Sequence, residues 1–204
     1  MPSPRPLPHD FPWFLDDARD AGLSLHPLPA SVVALLDAEG APPRLVAHLL
    51  LVHDVSVRLL RALREAWPGL RFDADAVAWG AATHDIGKAH HREELSGPGK
   101  AHEAAGERLL LASGVPPTLA RFARTHGARE STPDLALEDL LVILADTAWK
   151  GKRSRELDDQ VVATLSAAVG APPWDVFLKL DTILEALAAD ADPRLAWQGR
   201  FPAG

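Results

Sequence analysis

The stretch "AATHDIGKAHH", residues 81–91, sets His84 and Asp85 side by side at the end of an Ala-rich run that halts at Gly87-Lys88. Two titratable side chains in an apolar helix are costly to bury unless each has a partner. A metal ion would satisfy both. The dipeptide alone is weak evidence, because His-Asp also occurs at residues 9–10 and 53–54. The third copy differs in its setting: an apolar helix, a glycine, and then Lys88 one turn away.

Other residues carry the same ambiguity. Asp146 lies in "LLVILADTAW", apolar nearly all round and so expected to be buried. A carboxylate there needs an ion pair, for which Lys150 at i+4 is available, or a metal. His53 shares a helix face with Val46, Leu49, Leu50, Val57 and Leu60 and should point to the core, while His48 and Asp54 fall off that line. A core histidine bonded to a backbone carbonyl is its other reading. His102 comes one turn into "KAHEAAGERLLLASG", and His126 closes "PTLARFARTHG" before Gly127, an expected cap residue. Solvation explains the first and the helix dipole the second when each is taken singly. Together, five helices each offer a nitrogen or a carboxylate, and all-α bundles build metal sites from side chains on facing helices. With no cysteine in 204 residues, thiolate metal sites, disulfides and a cysteine nucleophile are excluded together. Any metal would depend on imidazole and carboxylate.

The elements that must position these groups are helical. Residues 1–40 read as an arm broken by Pro2, Pro4, Pro6, Pro8, Pro12, Pro27 and Pro29, with Phe11, Trp13 and Phe14 as anchors, followed by a short helix ending near Gly40. Pro42-Pro43 opens a long helix through "RLVAHLLLVHDVSVRLLRALREAW" to Pro68-Gly69. The periodicity predicts further helices over 73–87, 100–113, 117–126, 136–150, 155–169 and 173–189, with no sustained alternation of the kind strands show. The expectation is an all-α bundle forming a single domain, with a core at 41–150 and C-terminal helices in 151–204 packing on it. The stripe Trp174, Phe177, Leu178, Leu184 and Leu187 reads as core packing.

A net charge of −7 provides no global basic field for nucleic acid or an anionic membrane, though a local basic pocket remains open. Prolines interrupt the N-terminus where a signal peptide needs an apolar run, and no stretch reaches the length of a membrane span. The expectation is a soluble, cytoplasmic protein.

In its order of His, His-Asp, His, His, Asp, the chain resembles the HD-domain superfamily of metal-dependent phosphohydrolases over about residues 41–150. "THDIGKAHH" resembles that family's signature, and "AHEAAGERLL", "FARTHGA" and "ILADTAWKGKR" resemble its later segments. The two added histidines make it similar to the two-metal subgroup. The resemblance implies that Asp85 bridges two divalent transition-metal ions, drawn from Fe, Mn, Zn, Co or Ni. His53, His84 and Asp146 would complete one centre, and His102 and His126 the other. It implies a hydroxide between the ions as nucleophile, Lys88 on a phosphoryl oxygen, and Arg129 and Lys150, with Lys152 and Arg153 nearby, on further phosphates of a small phosphorylated substrate such as a nucleotide. A solvated turn accounts for "KGKR" almost as well. Cyclic-dinucleotide phosphodiesterases of this subgroup carry a Gly-Tyr-Pro element, and this chain has no tyrosine. Two rival readings stay open: a di-iron oxygenase built on the same ligand pattern, and a non-catalytic nucleotide-binding regulatory module.

Overall fold

Prolines mark several of the entrances to the helices. In the computed structural model, which describes residues 11–127 and 135–202, the order is α1 (Phe11–Asp20), α2 (Ala30–Ala38), α3 (Pro43–Ala66), α4 (Ala74–Thr83), two 3-10 turns (Ile86–Ala89 and Arg92–Leu95), α5 (Ala101–Ala112), α6 (Pro117–Ala120), α7 (Phe122–Thr125), α8 (Leu137–Ala148), α9 (Arg155–Val169), α10 (Pro173–Ala188) and α11 (Ala191–Gly199). Helices α3, α6 and α10 each begin on a proline, where the missing N–H has no intrahelical partner to lose. Asp73 caps α4 by accepting the Ala76 N–H at 2.9 Å. Gly170, at φ 65°, ends α9. No strand occurs among the described residues, and the fold is all-α as expected.

Helix α3 is the axis of the bundle, packed against α4, α8, α10 and α11. From Leu45 to Ser56 every residue of it except His48 is buried. Among the described residues, all eleven helices feed one apolar cluster through residues such as Phe14, Val32, Leu49, Val77, Leu110, Phe122, Leu144, Val161, Leu180 and Trp197. No single helix among the described residues is long and apolar enough to cross a membrane.

The expected elements and the observed ones part at several places. Residues 11–20, expected within the proline-broken arm, form α1, because Pro12 falls in the first turn, where it is tolerated. Residues 1–10 lie outside the described part of the chain. The segment 117–126 breaks at Arg121 into α6 and α7. The tail carries α11, with Pro193 again in a first turn. Finally, the stripe on α10 divides. Val176, Leu180, Leu184 and Leu187 form the buried line, whereas Trp174 and Leu178, two positions and so about 200° away, are 65% and 47% exposed.

Helices α1 and α11 clasp one another. Phe14 and Phe201 approach with ring centroids 5.4 Å apart, Trp197 Nε1 donates to Asp17 Oδ2 at 2.8 Å, and Arg200 reaches Asp17 Oδ1 at 3.1 Å. Arg44, at the start of α3, donates to the Phe201 carbonyl at 3.2 Å. The two ends of the described chain are thereby tied beside the N-terminus of α3.

Candidate metal centre

Helix α4 stops at Thr83, and His84-Asp85 occupy a turn leading into the first 3-10 segment. Leaving the helix lets the adjacent side chains converge, with His84 Nε2 3.6 Å from Asp85 Oδ2, where a continuous helix over 73–87 would set them about 100° apart. Around them gather His48 from α3, His102 from the first turn of α5, His126 from the end of α7 and Asp146 from α8. Their donor atoms fall into two groups, His48–His84–Asp146 and Asp85–His102–His126, each within 4.8 Å.

Asp85 joins the groups by dividing its oxygens. Oδ2 lies 3.1 Å from His48 Nε2 and 3.6 Å from His84 Nε2. Oδ1 lies 3.1 Å from His102 Nε2 and 3.2 Å from His126 Nε2. Asp146 Oδ1 stands 3.6 Å from His48 Nε2 and 3.7 Å from His84 Nε2.

Hydrogen bonds on the far side of three rings fix the tautomers. His84 Nδ1–H donates to the Ala81 carbonyl at 2.9 Å, His126 Nδ1–H to the Ala123 carbonyl at 3.0 Å, and His102 Nδ1–H to Glu94. A carbonyl can only accept, so the proton is on Nδ1 and the Nε2 lone pair faces inward. Nε2 atoms then confront one another at 3.3 Å (His48 and His84) and 3.2 Å (His102 and His126). Buried Asp85 Oδ1 receives no hydrogen bond. Facing lone pairs around an orphaned carboxylate oxygen are a repulsive arrangement that a cation turns into a coordination shell. The donor set of four imidazoles and two carboxylates suits divalent transition metals.

The electrostatics make the same demand for positive charge. Burial would raise the pKa of Asp85, but the imidazoles of His84, His102, His126 and His48 outweigh it and hold the group well below the ordinary carboxylate range. Burial likewise opposes ionisation of Asp146, which His84, Lys150 and His48 nevertheless hold low. Burial would lower His84 and His102; the facing carboxylates overcome it, and both are raised. For His48 burial prevails, and its pKa falls.

Gly87 has a reason that the sequence did not disclose. A Cβ there would stand 2.0 Å from the His102 carbonyl oxygen and 2.7 Å from the Gly106 nitrogen. The missing side chain lets the 3-10 turn lie directly on α5 and brings Asp85 up to His102.

Beside these side chains opens a cavity of about 270 Å³ lined by Arg44, Lys88, Leu95, Trp149, Lys150 and Gln198 together with His48, Asp85, His102, His126 and Asp146. Lys88 Nζ lies 2.6 Å from Asp85 Oδ2, and Lys150 Nζ lies 3.7 Å from Asp146 Oδ2. Trp149 packs edge-on against His48, centroids 5.3 Å apart.

Five of the six expected ligands, His84, Asp85, His102, His126 and Asp146, meet here. The sixth, His53, does not. Its Nδ1–H donates to the Ala78 carbonyl at 3.1 Å, the core arrangement that was its other reading, and His48 stands where His53 was expected. Five residues separate the two, about 140° around a helix. Because α3 is buried nearly all round, an apolar stripe could not select the ligand face. Lys88 and Lys150 reach the cavity, whereas Arg153 is held by Asp158 and Asp181, each at 2.9 Å, and neither it nor Lys152 lines it. Arg129 lies outside the described residues. His90 pairs with Glu39 at 2.8 Å on the surface. Arg44, Glu94, Trp149 and Gln198 escaped sequence reading. Glu94 lies close behind the signature, Arg44 one turn before His48 and Trp149 one turn after Asp146, whereas Gln198 arrives from a distant helix.

The family model for the HD domain matches residues 45–148, just over half of the chain and the span from the start of α3 to the end of α8. No curated protein and no solved structure matches the chain.

Proposed function

The chain belongs to the HD-domain family, a superfamily composed mostly of metal-dependent hydrolases, and from that premise we propose that it is a two-metal phosphohydrolase acting on a nucleotide or another small phosphate ester or anhydride. One observation carries the reading: a single buried carboxylate, Asp85, turns one oxygen toward each of two His/Asp groups beside a cavity walled by cations. His48, His84 and Asp146, with Asp85 Oδ2, would hold one divalent ion; His102, His126 and Asp85 Oδ1 would hold the second. Bound there, the ions supply Lewis-acid activation of water and neutralise charge developing at phosphorus.

The chain's own groups do the rest. Lys88, Lys150 and Arg44 bring three cations to the cavity wall from three different segments of the chain, a complement for phosphoryl oxygens. Lys88 is anchored by Asp85 and so is aimed at the reacting end of the pocket. Lys150 lies beside Asp146 and over the Trp149 ring at 5.7 Å, a position suited to a distal phosphate or a polar leaving group. Leu95 and Trp149 add apolar wall, which limits access of bulk water. No cysteine or other covalent nucleophile is required.

The test is elemental analysis of untagged protein followed by a phosphate-release screen over mononucleotides, dinucleoside polyphosphates, cyclic dinucleotides and simple phosphate monoesters. The expected result is transition metal at both groups and metal-dependent release of phosphate or nucleotide. Bound iron with oxygen uptake and no hydrolysis would replace this reading with the oxygenase, and nucleotide binding by metal-loaded protein without turnover would replace it with the regulatory module.

A further inference from the structure

Glu94 sits in the second 3-10 turn, outside both ligand groups, yet its side chain is only 8% exposed. It accepts the His102 ring Nδ1–H and the His102 backbone N–H, the latter at 3.1 Å, on Oε2, and the Ala101 backbone N–H at 3.0 Å on Oε1. These backbone donors belong to the first turn of α5, whose own preceding residue, Lys100, provides no side-chain cap. Glu94 therefore fixes ring and main chain of one residue together. Gly99 makes room for it: a Cβ at that position would stand 2.2 Å from Glu94 Oε1 and 2.5 Å from its Cγ.

The other two oriented rings are treated differently. His84 and His126 each rest on a carbonyl of their own helix, a neutral acceptor. Only His102, among the described ligands, rests on a carboxylate. A charged acceptor behind an imidazole strengthens it as a ligand and holds its inward nitrogen as an acceptor of metal. The group so favoured has only three donors, Asp85, His102 and His126, whereas the first group adds Asp85 Oδ2 to His48, His84 and Asp146. The stronger orientation falls on the poorer site.

We propose that Glu94 is the positioning residue of the second centre: by clamping His102 it raises the affinity of the Asp85–His102–His126 group for a divalent cation and so decides whether the protein carries two ions or one. This rests on the two-centre reading above.

The test is a Co(II) titration of metal-free protein, followed by visible absorption and equilibrium dialysis, on the wild type, Glu94→Gln and Glu94→Ala. Wild type should bind two equivalents. Glu94→Ala should bind the first as wild type does and the second about 10- to 100-fold more weakly. Glu94→Gln, which keeps an acceptor oxygen without the charge, should fall between them. Histidine-labelled metal-free protein should also show a hydrogen-bonded His102 Nδ1 proton resonance that disappears in Glu94→Ala. Two equivalents bound by Glu94→Ala with wild-type affinities would overturn the proposal. So would equal weakening of both centres together with lost helicity, since Glu94 would then act only as a cap of α5. A wild type that takes up fewer than two equivalents would instead remove the two-centre reading on which the proposal stands.

Discussion

Helix α3 carries two buried ionisable clusters less than two turns apart, and they are built on opposite principles. Around Asp54 the carboxylate is faced by cationic and N–H groups of the chain itself. Its Oδ1 takes the His26 backbone N–H at 3.0 Å and the His26 ring N–H at 2.6 Å, and its Oδ2 is ion-paired with Arg58 Nε at 2.8 Å, although neither of those two atoms makes a hydrogen bond. Arg194 lies buried nearby; burial lowers its pKa, against Asp54 and Asp190, which favour its charge, and its Nη1 donates to the Leu187 carbonyl at 2.7 Å. Around His48 the account stays open: the Nε2 atoms of His48 and His84 face each other, as do those of His102 and His126, and Asp85 Oδ1 has no hydrogen bond. A closed cluster stabilises a fold, whereas one lacking only positive charge is a receptor for a cation. Burial alone does not tell them apart; the pattern of donors and acceptors does.

The largest break in the comparison is expected at Asp85, the one residue shared by both groups. Asp85→Ala should abolish metal retention at both centres and with it turnover, while far-UV circular dichroism stays close to that of the wild type. Retained metal with full turnover would show that the two groups do not act as one site. Next comes the pair on α3. His48→Ala should lose metal from the first centre, and His53→Ala should keep the wild-type metal content while losing about 1 to 3 kcal/mol of stability with its bond to Ala78. Elemental analysis beside denaturant unfolding separates the two, and the reverse pattern would reinstate His53 as the ligand.

This pair also shows how far the sequence could be read. Helix type and order followed from periodicity and proline placement, because both act locally. His84-Asp85 stood out because two titratable groups in an apolar run demand an explanation, and Asp146 for the same reason. His48 did not, because stripe reasoning needs a helix with a wet side, and the middle of α3 has almost none. Helix α1 was lost for another reason: Pro12 was read as a breaker, although a first-turn proline costs a helix little, and α11 lies beyond the last helix the periodicity marked, which ended at 189. Gln198 reaches the cavity because α11 folds back onto α3, a long-range event with no local signature.

The smallest effect on metal is expected at the closed cluster. Asp54→Ala should leave metal content and turnover at wild-type levels, since Asp54 belongs to neither ligand group. It should nevertheless cost stability, because removing one partner of a buried ion pair strands the others. Arg58 has 30% of its side chain exposed and can turn to water, which reduces the loss to about 2 to 3 kcal/mol from the larger figure for a fully buried pair. His26→Ala, whose ring is 44% exposed, should cost only about 1 to 2 kcal/mol, because the His26 backbone N–H and Arg58 still serve the carboxylate. Both values come from the midpoint and slope of urea unfolding, read beside metal content. Loss of metal in either variant would show that the two clusters on α3 are coupled, and the contrast between a structural and a cation-binding cluster would fail.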